Sequence, residues 1–278
     1  MVKLKSILKW AFLVLILFFI YAPIILLTLF SFGKGETIQA NLKDFQFSLT
    51  HYEYFFNINN EPLQVVLQTI GLALIVAFLS TILGTVGSIG IFYSKKRINT
   101  ILSAVNRIPV INAEVVTAIS FALFVSFFQI DKSTFIPLIL GQMILCTPFV
   151  VLSVVPKLKQ MDNNLYEAAL DLGASPTRAL FSVVIPQIMP GIVAGFLLSV
   201  TLSLDDYVIA AYTKPDSFTT ISTHIYGLSH NNQVGPTIKA AYWAFTGIIF
   251  FIIILVVITA NILANRKTRS KKNEKTPF

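Results

Sequence analysis

The sequence has little charge, a single cysteine and none of the common catalytic motifs. Only 12% of its 278 residues are charged, against roughly 25% in ordinary soluble domains. A mean hydropathy of +0.76 excludes disordered, collagen-like and solenoid chains, and it disfavours a free soluble enzyme because water would not wet such a surface. With Cys146 alone, a disulfide framework and a cysteine-ligated metal cluster are excluded. The composition predicts an integral membrane protein.

The chain also lacks the phosphate-binding loop of ATPases, a nucleophile elbow and a dinucleotide fingerprint. Its three histidines, His51, His224 and His230, have no metal-ligand spacing with cysteine or glutamate. We interpret them as solvated loop residues. We therefore expect no catalytic residue, no metal site and no cofactor in this chain, and any ATP hydrolysis is expected in a partner subunit.

Long apolar stretches predict six transmembrane helices, because about 20 apolar residues in a helix cross the hydrocarbon core. The predicted spans are 10–31, 65–93, 108–130, 134–156, 189–212 and 240–264. The third is interrupted at its start by Pro109 and Glu114. The predicted fold class is an all-α integral membrane protein, with one transmembrane domain over residues 1–278.

The lysine and arginine residues indicate how these spans are oriented. With both termini inside, the inner segments contain sixteen of the 21 basic residues and the outer segments contain five. The positive-inside rule then predicts that both termini are cytoplasmic. The net charge of +8 needs no nucleic-acid partner, since a basic tail over 265–278 is expected to anchor at the inner leaflet of the lipid bilayer.

Small residues follow one face of the second span. Ser80, Gly84 and Ser88 recur at four-residue intervals, and such flat stripes let helix backbones approach closely. We expect packing within the chain, with a subunit interface as the alternative.

The segment between the fourth and fifth spans, residues 157–188, is too polar for a membrane span and predicts two short helices. Asn164 is expected to cap the first helix, with Glu167 reaching back to it in a capping box. Gly173 is expected to end that helix in the left-handed conformation. Isolated helices of two or three turns are marginal in water, so the hairpin is expected to need a partner surface.

The second short helix is expected to start with Ser175 as its N-cap and Pro176 at its first position. Pro186 is expected to end it, because proline lacks the backbone N–H that would continue the helix.

This segment resembles the EAA loop of permease subunits in type I ABC importers, whose pattern is EAA-xxx-G-x(9)-I-x-L-P. The matching residues are Glu167, Ala168, Ala169, Gly173 and Pro186, with Val183 and Ile185 as conservative departures. The resemblance extends from about residue 62 to the C-terminus. It implies the type I importer permease fold with a core over 62–264, and it implies that 157–188 is the cytoplasmic loop that couples to the ATPase.

Acidic residues in two spans predict a substrate path. Asp205 and Asp206 lie toward the outer half of the fifth span, where a carboxylate costs roughly 2.5 to 3.5 kcal/mol and usually faces a cavity or a partner. Adjacent helical residues diverge by about 100°, so one is expected to line a path while the other pairs internally or caps a helix break. Tyr207 adds a cation–π surface. Glu114 is expected to gate the inner end or to lie at the interface.

The alternative for the two adjacent acids is structural: neighbouring helices or interfacial water would satisfy them. The absence of basic residues from the spans favours a cationic over an anionic substrate.

Three short runs are similar to the C-type permease subunits of spermidine/putrescine importers: Ser203 to Ile209, Pro148 to Val150, and His224 to Gly227. Permeases for iron, thiamine and phosphonates share parts of them. The resemblance implies a multi-pass permease of the bacterial cell membrane that imports polyamines with a sister permease, an ABC ATPase dimer and an extracytoplasmic polyamine-binding protein. An importer of another small substrate and an ion-coupled secondary transporter remain alternatives.

Overall fold

In the computed structural model of the chain, the regular elements of the described residues are helices. The structure describes residues 2–58, 60–230, 237–238, 240–252 and 254–255. The helices are α1 Val2–Ser31, α2 Ile38–Lys43, α3 Thr50–Phe56, α4 Glu61–Tyr93, α5 Lys96–Ile111, α6 Glu114–Phe127, α7 Ile136–Gln160, α8 Asn163–Asp171, α9 Pro176–Ala179, α10 Ile185–Asp205, α11 Val208–Thr213, α12 Ile221–His230 and α13 Ala240–Ile252. A π-helical turn, Leu180–Val184, joins α9 to α10.

Four helical segments of the described chain are long and apolar enough to cross a membrane: Phe12–Ser31, Glu61–Tyr93, Ile136–Gln160 and Pro176–Asp205. Counted as one broken span, α5 and α6 provide a fifth. The part of the predicted sixth span beyond residue 255 and the basic tail over 265–278 lie outside the described residues. The count of six and the cytoplasmic position of both termini therefore stay predictions.

The predicted third span, 108–130, is wrong as a single helix. Helix α5 passes Pro109 and ends at Ile111, and α6 begins at Glu114 after a bend of 105°. The two residues between them are extended. An acidic residue is favourable in the first turn of a helix, where the helix dipole is positive, so the charge that interrupts the apolar run begins a new helix.

The fourth and fifth spans also differ from their predicted limits. Helix α7 continues four residues beyond position 156, and α10 begins before the predicted 189 and ends before 212. The Ile185 N–H bonds to the Leu180 carbonyl oxygen, five residues earlier. The prediction that Pro186 ends the second hairpin helix is wrong, because the helical segment Pro176–Asp205 continues past it, with a π-helical turn directly before α10.

Residues 65–227 form one compact unit in which α7 packs against both α4 and α10. Val150 of α7 is fully buried. A methyl group on Gly84 of α4 would lie 2.6 Å from Val150 Cβ, and one on Gly195 of α10 would lie 3.1 Å from Val150 Cγ1. The predicted small-residue face of the second span is therefore confirmed as a packing surface within the chain.

A second compact unit comprises residues 1–64 and 228–278, and its described part contains an aromatic cluster. His51 is buried there, with its ring centroid 5.9 Å from that of Trp243. Its Nε2 atom lies 3.2 Å from the Gly35 carbonyl oxygen. The prediction that His51 is a solvated loop residue is wrong, because aromatic neighbours supplied by distant segments enclose it.

The close approach of α4 to α7 predicts that Gly84→Ala destabilises the protein. The new methyl group would contact the stiff, buried Val150, and overpacking of this kind costs about 1 to 3 kcal/mol in the free energy of unfolding. The measurement is the midpoint of thermal unfolding of the purified protein in detergent. Gly87→Ala is the matched control, because nothing beyond the adjoining backbone of its own helix lies within 4 Å of the added carbon. Equal midpoints for the two variants would contradict the packing account.

Candidate functional site

The larger unit contains a cavity of about 230 Å³. It lies beside the bend between α5 and α6 and beside the break between α10 and α11. We call it the acidic cavity. Its lining residues are Pro109, Val110, Asn112, Glu114, Leu145, Phe149, Leu202, Asp205 and Asp206. The fold thus brings together three of the four residues that the sequence indicated for a substrate path.

Asp206 forms the break between α10 and α11. Its backbone is extended, with φ −61° and ψ 115°, so α10 ends at the preceding residue. The Oδ1 atom accepts a hydrogen bond from the Ile209 N–H at 3.0 Å, and Oδ2 accepts one from the Ala210 N–H at 3.1 Å. A carboxylate that accepts N–H groups of the first turn caps a helix and complements its dipole. Asp206 therefore starts α11 as well as ending α10.

Two buried side chains complete the surroundings of Asp206. Gln142 of α7 donates its Nε2 amide to Asp206 Oδ2 at 2.8 Å, and its Oε1 atom accepts the Ser203 hydroxyl at 2.7 Å. We call Gln142, Ser203 and Asp206 the buried network. It joins α7, α10 and α11 through residues whose exposure is between 0% and 3%.

Gln142 was missed by the sequence analysis, because it is a single amide in an apolar run and belongs to no motif. The available signal was its polarity, since a polar side chain inside a span almost always has a partner there.

Asp205 and Glu114 keep their carboxyl groups open to the acidic cavity. Asp205 is exposed while Asp206, the next residue, is buried. Glu114, also exposed, is the first residue of α6, and its carboxyl group lies within hydrogen-bonding reach of that of Asp206. Neighbouring carboxylates repel each other unless a proton or a cation compensates the charge. A proton held between the two groups or a bound cation would relieve this repulsion.

Tyr207 is placed apart from this group. Its ring centroid lies 4.5 Å from that of Tyr226, at an interplanar angle of 37°, and it is not among the residues that line the acidic cavity.

Nearby, the Ser222 hydroxyl lies 3.4 Å from the carbonyl oxygens of Leu204 and Asp205. These are backbone groups that the end of α10 leaves without helical partners.

The α8 and α9 helices form the predicted hairpin. The predicted cap at Asn164 is wrong: Asp162 caps α8, with its Oδ1 atom accepting the Asn164 N–H at 3.0 Å. Gly173 has φ +87°, which confirms the predicted left-handed end. The cap by Ser175 is also confirmed, since its hydroxyl accepts the Arg178 N–H at 3.4 Å.

One side of the hairpin is attached and the other is open. Tyr166 packs against a buried apolar cluster that α7 and α10 share, and its ring lies 5.8 Å from that of Tyr93. On the open side, Glu167 and Ala168 are exposed, and Leu172 is 89% exposed. Ala169 is half-buried. The hairpin is therefore packed against the helices through Tyr166, and its opposite side exposes apolar and acidic side chains.

Several apolar spans indicate a multi-pass membrane protein, and a carboxylate-lined cavity lies between its broken helices. The chain belongs to the family of binding-protein-dependent transport system inner membrane components, whose family model matches residues 2–269. It is therefore a membrane component of an ABC transport system.

Among its relatives, the spermidine/putrescine transport system permease protein PotC of Haemophilus influenzae is 31% identical over 234 residues, which are 84% of this chain and 88% of the relative. PotC of Escherichia coli K12 is 27% identical over 267 residues, with 96% and 97% covered. The putrescine transport system permease protein PotI of the same organism is 28% identical over 242 residues, with 83% of each chain covered.

A solved structure of the methionine ABC transporter MetNI, in an inward-facing conformation, is similar at a TM-score of 0.49 and 15% identity. The similarity covers 76% of this chain and 98% of that chain.

Proposed function

We propose that this chain is a permease subunit of an ATP-driven polyamine importer in the bacterial cell membrane. It would act with a sister permease, an ABC ATPase dimer and an extracytoplasmic polyamine-binding protein. The observation that carries the proposal is the acidic cavity, where Asp205 and Glu114 are open in a chain whose relatives include spermidine and putrescine permeases.

The cavity suits the chemistry of a polyamine. Such molecules carry several ammonium groups, and each can donate to a carboxylate while its hydrocarbon linkers contact apolar walls such as Leu145 and Phe149. A unit-charge pair 4 Å apart gains about 4 kcal/mol before desolvation at the effective dielectric near a protein surface. Asp205 and Glu114 are the groups we assign to substrate, and an anionic substrate would be repelled by both.

The exposed face of the hairpin is proposed as the ATPase-coupling surface, with Glu167, Ala168, Ala169 and Gly173 in the segment that would dock. Pro186 lies where the hairpin enters α10. Helix α10 has 21 residues, which corresponds to about 31 Å at 1.5 Å per residue. It connects the hairpin to Asp205, so movement of the hairpin would reach the acidic cavity along a single helix.

Transport would proceed by alternating access. ATP binding would close the ATPase dimer and displace the hairpins, and the permease pair would switch between conformations open to either side. This chain would contribute the path and the coupling surface, while the ATPase would supply the hydrolytic chemistry.

Neutralising either open carboxylate is expected to reduce polyamine uptake. Loss of roughly 1 to 3 kcal/mol of charge-assisted pairing corresponds to about a 5- to 150-fold lower uptake efficiency. Asp205→Asn and Glu114→Gln are the changes, and the measurement is uptake of labelled spermidine and putrescine by the assembled importer, at equal complex abundance. Asp216→Asn is the control, since Asp216 is exposed and does not line the acidic cavity. Normal uptake in both test variants would refute a cation path along these acids.

The wild-type assay tests the class as well. Uptake that needs no ATPase subunit would favour the ion-coupled alternative. ATP-dependent uptake of a substrate other than a polyamine would support the proposed ABC importer class but contradict the proposed polyamine substrate.

Gly173→Val is expected to uncouple the hairpin. A β-branched residue is strongly disfavoured at φ +87°, so the end of α8 would shift relative to α9. We expect uptake and substrate-stimulated ATP hydrolysis to fall at least about tenfold, the effect of roughly 1.4 kcal/mol, while membrane insertion persists. Gly173→Asn is the matched variant, because asparagine tolerates the left-handed conformation, and it should retain most activity. Equal activity of the two variants would show that the left-handed turn has no role in coupling.

A further inference from the structure

The protein itself supplies most of the hydrogen-bond partners of the Asp206 carboxylate, and the Glu114 carboxyl group lies beside it. Three donors reach its carboxylate: the Gln142 amide and the N–H groups of Ile209 and Ala210, all within 2.8 to 3.1 Å. The residue is 3% exposed. A carboxylate in this state is stabilised by its donors and has little surface to offer a ligand, although it lies next to the open Asp205.

The orientation of Gln142 follows from its partners. A carboxylate only accepts hydrogen bonds, so the amide nitrogen of Gln142 must face Asp206 and the amide oxygen must face Ser203. Gln142 on α7 lies 61 positions before Ser203, near the end of α10, and 64 positions before Asp206, at the break. Both polar atoms of the Gln142 amide therefore form hydrogen bonds with residues at the C-terminal end of α10.

We propose that Gln142 is a positioning residue of the transport path. By holding the Asp206 carboxylate it fixes the break between α10 and α11, and the break determines where the last helical residue, Asp205, points. Asp206 then acts through the backbone it caps, and Asp205 meets the substrate. This inference rests on the proposed function and adds to it a division of labour between two adjacent acids.

Gln142→Leu removes both hydrogen bonds at nearly constant volume. We expect polyamine uptake by the assembled importer to fall about tenfold or more, the effect of removing a buried donor to a charged group. Gln142→Glu should be at least as harmful, because it places a second carboxylate against Asp206.

A polarity swap separates positioning from substrate contact. In the double variant Gln142→Glu with Asp206→Asn, the glutamate can accept from both the Ser203 hydroxyl and the new asparagine amide. The asparagine oxygen can still accept an N–H group of α11. We expect the double variant to recover most of the uptake lost in Gln142→Glu, with an apparent KM for putrescine close to wild type. Asp206→Asn alone should also keep most activity, because the Gln142 amide can turn over to meet it.

If Asp206 contacts the substrate, Asp206→Asn and the double variant will both lose uptake, and the inference is overturned. If Gln142→Leu assembles and transports like wild type, it is overturned as well. If Gln142→Leu fails to assemble, the double variant still tests the inference, because it keeps the hydrogen bonds of the buried network. Failure of the proposed function itself is distinct, because wild type would then import no polyamine.

A second measurement needs no transport. Cys146 is buried and is the single cysteine of the chain, so Asp205→Cys in a Cys146→Ala background provides one accessible thiol. Its rate of labelling by a cationic thiol reagent reports how residue 205 faces the acidic cavity. We expect Gln142→Leu to change that rate several-fold and the polarity swap to restore it. An unchanged rate in Gln142→Leu would show that Gln142 does not position residue 205.

Discussion

A helix that ends inside an apolar environment exposes backbone N–H and carbonyl groups that have no water to bind. Helix α10 ends at Asp205, within the predicted fifth span, and Asp206 satisfies the start of the next helix by accepting two N–H groups of α11. These bonds and the Gln142 amide reduce the cost of burying its carboxylate. This one side chain accepts three hydrogen bonds from the protein at the break, and the acidic cavity lies beside it.

The cavity lies where two helical segments are broken, between α5 and α6 and between α10 and α11. In each case an acidic residue lies at or just before the start of the second helix. Glu114 begins α6 after the 105° bend, and Asp206 caps α11, which packs against α6. Helix N-termini favour negative charge. Each break in a helix creates a new N-terminus, so carboxylates are favourable at the breaks. The site is thus a consequence of how the breaks are stabilised, and it requires no additional motif.

The same helices connect the cavity to the hairpin. Val150 of α7 lies between Gly84 and Gly195, so α4, α7 and α10 are packed at short range. The buried network then ties α7 to the far end of α10. Interfaces packed this closely move as bodies and do not deform gradually, as the proposed coupling of the hairpin to the cavity requires.

The sequence by itself determined the membrane class, the position of three spans to within several residues, the hairpin with its left-handed Gly173 and its Ser175 cap, and the three acids that line the cavity. These features are local: apolar runs, turn residues and charges in spans are visible over a few neighbouring positions. Only the tertiary structure decided that Asp206 is buried while Asp205 is open, that Gln142 holds Asp206 across 64 positions, and that Glu114 starts a second helix beside them. Such choices depend on contacts between segments far apart in the chain, and hydrophobic periodicity contains no information about which buried polar groups will meet.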